Sequence, residues 1–198
     1  MNTNTKLMPT IAVLLATSIA CGPIASAQQA ASSTPFASGV RISVVPTRTS
    51  KHANGYYDLK TQKIALTVKF ANTDMRQTYE GFTATISVFG QLASDTKIKK
   101  ILLQETVTLS LPPTKTQEHV TQEITTRFDK IGYKYGYSYD GWIIVVKDPA
   151  GRIVQVKASS APQEKFTELA SKLVLGKCYD SKLKPVANPG YATVYSGY

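Results

Sequence analysis

The chain is poor in the groups on which catalysis and covalent cross-linking depend. It has two cysteines, two histidines and one tryptophan, and 13 acidic residues stand against 23 basic ones. Cys21 falls before the cleavage point expected at Ala27, so the exported part keeps Cys178 alone and no disulfide can form within it. Stability must then come from packing. His52 lies in the turn-like Lys51-His52-Ala53-Asn54-Gly55 and His119 in a Thr-rich stretch, and neither belongs to a metal-spaced pair. Phosphate loops, Cys-x-x-Cys pairs and calcium loops are missing, and no cofactor or metal is expected. The apolar run from Leu7 to Ile19 is shorter than the roughly 20 residues of a membrane-spanning helix, and no later segment is long enough to span.

That run has the order of an export signal. Lys6 supplies the positive start, residues 7–19 the short apolar stretch, and Ala25-Ser26-Ala27 the small side chains that a signal peptidase accepts. Residues 1–27 are therefore expected to be removed, and no integral membrane segment is expected to remain. Lipidation at Cys21 is a second reading, weakened because Ser18-Ile19-Ala20 lacks the usual Leu three positions before the cysteine. The expected location is the periplasm, the outer-membrane surface or the medium.

The expected signal takes away one lysine and no acid, leaving 22 basic against 13 acidic side chains. In the envelope the abundant polyanions are lipids and acidic or sulfated glycans. The balance thus points to an envelope or surface protein, or to an anionic glycan, and away from nucleic acid. Scattered lysines also serve simply as a solvated face. Lys97, Lys99 and Lys100, near Asp95, form the densest basic cluster.

Residues 28–39 are small, polar and without periodicity, as expected of a flexible leader. From Val40 onward the period is two, which puts alternate side chains on opposite faces of a strand. Ile64, Leu66, Val68 and Phe70 alternate with Ala65, Thr67 and Lys69; Phe82 to Val88 and Val107 to Leu111 repeat the pattern. Weaker strands are expected at 40–44 and 118–128, the latter with Val120, Ile124 and Phe128 on one side. Trp142 to Val146 is apolar on both faces, and Asp148-Pro149-Ala150-Gly151 fits a type I turn into a second strand at 153–157. Phe166, Leu169, Ala170, Leu173 and Val174 fall at helical spacing, with Ser160 and Gln163 as a capping box and Gly176 as C-terminal cap, so a helix is expected over 162–175. Residues 177–198 are expected to run as an extended tail rich in Tyr, Pro and Gly.

Seven strands with one short C-terminal helix indicate an all-β fold, an immunoglobulin-like antiparallel β-sandwich over 40–176. Its most unusual feature is Tyr133, Tyr135, Tyr137 and Tyr139 at every second position, which one strand would place on one face. Such a row either presents rings for stacking on sugars, with Lys130 and Lys134 attracting acidic groups, or packs across strands. Gly136-Tyr137-Ser138-Tyr139-Asp140-Gly141 superficially matches a nucleophile elbow, but Asp140 replaces the last glycine and a strand follows where that motif needs a helix. The enzymatic alternative is a glycan hydrolase using carboxylates such as Glu105 or Asp140. Cys178 and open sheet edges allow a third reading, a homo-oligomer joined by an intermolecular disulfide or by strand pairing.

Gly132-Tyr-Lys-Tyr, then Tyr139-Asp-Gly-Trp-Ile-Ile-Val-Val-Lys-Asp-Pro-Ala-Gly-Arg-Ile-Val and a short helix, resembles the end of secreted immunoglobulin-like proteins of Gram-negative bacteria, some associated with the outer membrane and type IV pilus systems. The resemblance implies a non-enzymatic module for protein or glycan contacts. The motif is a structural hairpin rather than an active site. A pilin keeps its apolar stretch after a prepilin-peptidase site, whereas here the stretch precedes Ala25-Ser26-Ala27, so an accessory role is implied rather than that of a subunit.

Overall fold

Alternating apolar side chains produce long antiparallel strands, seen in a computed structural model that describes residues 35–53, 56–132 and 135–189 and, for residues 53 and 56–58, the backbone alone. In chain order the elements are α1 (Phe36–Gly39), β1 (Val40–Ala53), β2 (Tyr56–Asn72), β3 (Tyr79–Leu92), β4 (Lys99–Leu111), β5 (Thr116–Val120), β6 (Ile124–Asp129), β7 (Tyr137–Lys147), β8 (Ile153–Ala158), α2 (Ala161–Glu164), α3 (Thr167–Ala170), β9 (Cys178–Tyr179) and β10 (Pro185–Val186). The expected signal lies outside the described residues.

Two antiparallel sheets form, an all-β sandwich. In the first, β1 pairs with β2, and the far side of β2 is shared by β5 and β6. The second runs β10-β9-β4-β3-β7-β8. Residues 118–128, expected as one strand, are two. Thr121 interrupts them, its N–H donating to Leu66 O and its hydroxyl accepting from Leu66 N. The break leaves Val120 on the outer face, 59% exposed, while Ile124 packs on the core.

The core between the sheets is built from the strands most legible in the sequence. Ile64, Leu66, Val68 and Phe70 of β2 are at most 1% exposed, and the last three pack in one core with Ala84, Ile86, Val88, Leu109, Ile144 and Val146. Burying each large apolar side chain stabilises by about 1.5–3 kcal/mol. Exposed pairs such as Lys63–Glu123 and Lys69–Glu118 contribute about 0–1 kcal/mol, so packing decides the fold. Phe36 belongs to this core, 4% exposed and stacked on Phe82. The leader expected over 28–39 therefore ends in a helical turn that Phe36 pins; its residues 28–34 lie outside the described ones.

Strand β7 is apolar on both faces because the second sheet is covered on both. Trp142, Ile144 and Val146 face the first sheet, whereas Ile143 and Val145 join Phe89 and Ile101 under a C-terminal layer that contributes Ala170, Leu173, Tyr179 and Leu183. The helix expected over 162–175 is two single turns, α2 and α3. Phe166 between them has φ −93° and ψ 48°, outside the helical region. Ser160 occupies the N-cap position without a side-chain cap bond. Gly176 closes the segment after α3 at φ +78°, its N–H donating to Ile101 O. The tail expected over 177–198 returns into the sheet at β9 and β10, so residues 178–186 are part of the fold; Tyr191, Tyr195 and Tyr198 lie outside the described residues.

Candidate functional site

The candidate site lies where the β1–β2 hairpin meets the start of β7, at one end of the sandwich. The chain reaches β7 through Gly136, whose φ of +88° is closed to most side chains and where a Cβ would sit 2.1 Å from Arg127 O. Phe128 and Gly136 form a bridge there between β6 and the approach to β7. Asp140 is the extra residue of a bulge, since Gly90 opposes Tyr139 while Phe89 opposes Gly141. A second bulge, at Leu102, separates Ile101 opposite Phe89 from Leu103 opposite Val88. The bulge at Asp140 reverses the alternation of β7, so that Tyr137 and Tyr139 point inward at this end while Ile143 and Val145 point outward farther along the same strand, and the bulge at Leu102 likewise puts Lys100 and Leu103 on one face of β4.

Each of these two tyrosines carries a cation. Arg48 of β1 lies over the Tyr139 ring, Cζ 5.3 Å from the centroid, and Lys100 Nζ of β4 lies 5.3 Å from the centroid of Tyr137. Cation–ring contacts contribute about 0.5–1 kcal/mol at exposed sites and more where water is excluded. Gln62 of β2 fixes the backbone here, its Oε1 accepting from Tyr139 N at 2.9 Å. Burial pushes the Tyr139 phenol above its ordinary pKa, Arg48 pulls it down and Asp140 pushes it up; the net direction is upward. Lys99 pairs with Asp140, the two side chains being 15% and 20% exposed.

The fold therefore brings together residues that the sequence presents as separate groups. Tyr137, Tyr139, Lys99 and Lys100 share one end. Tyr135 precedes β7, with its carbonyl accepting from Asp129 N, and Tyr133 and Lys134 lie outside the described residues. Lys97 is exposed in the β3–β4 turn, its N–H donating to Asp95 Oδ1. Sequence reasoning missed Arg48 and Gln62. They sit in a polar part of the hairpin without apolar alternation, and only the register shows that Arg48 opposes Ile64 and so faces inward.

Cys178, the residue offered for an intermolecular disulfide, is 2% exposed. Its Sγ lies 3.7 Å from Tyr137 Oη and 3.8 Å from Asn188 Oδ1, at the wall of a hollow of about 380 Å³ that Leu175, Lys177 and Val186 also line. A disulfide between chains would require β9 to leave its sheet.

The carboxylates named for hydrolysis are each engaged. Glu105 of β4 accepts from Gln122 N at 2.8 Å and lies 2.7 Å from His119 Nε2 of β5, joining the two sheets. Asp140 is held by Lys99. Among the described residues no group of His, Cys, Asp and Glu is arranged to hold a metal ion, and no helix is long and apolar enough to cross a membrane.

No protein-family profile matches the chain, and no curated protein matches it. Three solved structures share part of its shape. One is from Akkermansia muciniphila, at TM-score 0.34 and 12% identity over 64% of this chain and 74% of that one. Another is Northeast Structural Genomics Consortium target SoR45, at 0.34 and 11% over 64% and 90%. The third is a β-glucosidase from Kluyveromyces marxianus, at 0.27 and 16% over 60% of this chain and 14% of the enzyme. The fold described above rests on the strand pairing itself.

Proposed function

We propose that the chain is an exported, non-enzymatic immunoglobulin-like module of a bacterial envelope, acting in the periplasm or at the outer surface through contacts with a surface protein or an anionic glycan. An accessory role beside a pilus or other surface structure fits the resemblance of its closing hairpin. One observation carries the reading: cations from both sheets, Arg48 and Lys100, are seated on tyrosine rings at one end of a rigid sandwich, while the carboxylates that would serve hydrolysis hold structural bonds. Residues 1–27 supply the support for export.

Cell fractionation with N-terminal sequencing, followed by cross-linking in intact envelopes, tests it. The expected result is a chain beginning at Gln28 in the envelope fraction, cross-linked to a surface protein or glycan. A chain retaining Met1 in the cytoplasm would overturn it.

A further inference from the structure

Cations from both sheets gather at the same end. Arg48 and Lys60 come from the β1–β2 hairpin, Lys99 and Lys100 from β4, Lys97 from the turn before it and Lys130 from the turn after β6. The register ties them together: Lys60 opposes Phe128, which bridges to Gly136, and Lys99 and Lys100 oppose Tyr179 and Cys178. The described acids nearby are held by donors of the protein itself. Asp95 accepts from Lys97 N, Asp129 from Ile131 N and Gly132 N, and Asp180 from Lys182 N and Lys184 N, while Asp140 is taken by Lys99. Carboxylates held by backbone N–H groups stay close to the protein, whereas the exposed Arg48, Lys97 and Lys130 carry their charge outward.

The rings themselves are poorly placed for stacking. Tyr139 packs against the core between the sheets and is covered from the other direction by Arg48; Tyr137 is half-buried under Lys100. A sugar or a base needs an open ring face. We infer that this end is a charge-reading site for a linear acidic polysaccharide, in which the tyrosines position Arg48 and Lys100 and the cations bind carboxylate or sulfate groups. The inference rests on the envelope reading above and names its ligand class. A slender chain is favoured over a bilayer because Lys99, Lys100 and the tyrosines are recessed, and a flat membrane surface meets only what protrudes. Nucleic acid is disfavoured because, among the described rings at this end, Tyr137 and Tyr139 each lie under a cation.

The test is binding of the purified full chain to polygalacturonate fragments, with neutral dextran of equal length, anionic phosphatidylglycerol vesicles and single-stranded oligonucleotide as parallel probes. Polygalacturonate is expected to bind, dextran not, and raising salt from about 50 to 200 mM should weaken binding by about tenfold or more. The double variant Arg48→Gln, Lys100→Gln should lose about fivefold or more, the signature of two lost charge contacts. Lys115→Gln, which removes an exposed cation beside the far end of β2, should bind as wild type. Circular dichroism verifies that each variant folds. Equal or tighter binding to vesicles or oligonucleotide, binding to dextran, or a double variant that folds and binds like wild type would each overturn the inference. Capture of an envelope protein without acidic-glycan binding would overturn the inference and leave the envelope reading standing; cytoplasmic retention of the chain would remove the envelope reading itself.

Discussion

Arg48 lies over the ring of Tyr139, guanidinium carbon 5.3 Å from the centroid, so a cation on the first sheet is seated on an aromatic of the second. The contact fixes a long side chain that would otherwise sample many rotamers. Tyr139→Phe is expected to change stability by less than about 0.5 kcal/mol, while Tyr139→Ala, which empties a half-buried ring site, is expected to cost about 2–3 kcal/mol. A double-mutant cycle with Arg48→Ala should show a coupling of about 0.5–1 kcal/mol by urea unfolding. A coupling of zero would mean that the ring does not hold the cation.

The contact between Glu105 and His119 is a second tie between the sheets, at the opposite edge of the sandwich from β1 and β8. Glu105→Ala removes both that contact and the acceptor for Gln122 N, and is expected to cost about 1–3 kcal/mol in chemical denaturation. A stability unchanged by Glu105→Ala would show that the edge is held by packing alone.

Acid should loosen the turn and the layer around β8. Hydrogen bonding from Arg152 N, reinforced by the guanidinium, holds the Asp148 carboxyl below its ordinary range. For Glu164 burial acts upward, but Lys157 and the Ala158 N–H outweigh it and the net direction is downward. A folded-state value below the unfolded one means that the stabilisation is present above the ordinary carboxylate range and is lost as pH falls through it, from about 4.5 downward. Tm measured from pH 6 to pH 3 should fall more steeply for wild type than for the double variant Asp148→Asn, Glu164→Gln. Parallel curves would contradict this assignment.

The C-terminal layer is expected to be integral to the fold rather than a detachable tail. Leu183 is 1% exposed and packs with Ile101 and Tyr179 over the second sheet, so Leu183→Ala should cost about 2–4 kcal/mol. Cys178, on the other face of β9, is buried against Tyr137 and Asn188, so its thiol should react with a disulfide reagent only on unfolding. Rapid labelling of the native protein, or a covalent dimer on non-reducing electrophoresis that Cys178→Ser abolishes, would show that β9 opens.

What the sequence makes legible is the part of the fold that apolar alternation encodes. Ile64 to Phe70, Phe82 to Val88 and Trp142 to Val146 are strands because their side chains must alternate between core and exterior, or be buried on both sides. The full reach of β1 and β2 is not legible, because beyond Pro46 the inward positions are Arg48, Ser50, Lys60 and Gln62, a polar interior that leaves no apolar period. The helical spacing of Phe166 to Val174 reports one buried face, which two single turns with a kink at Phe166 provide as well as one helix does. The site was half legible. Its tyrosines and lysines stand out by spacing and density, but two bulges and a crossing between sheets bring them together, and neither leaves a pattern in the sequence.

Hydrogen–deuterium exchange of the full chain, with and without polygalacturonate, addresses most directly whether the cationic, tyrosine-seated end is where this sandwich makes contact. The account predicts added protection in peptides covering 48–52, 60–62, 97–102 and 137–140, with the outer face of the first sheet around Val45, Thr67 and Val120 unchanged. Protection on that outer face, or none at the end bearing Arg48 and Tyr139, would contradict it.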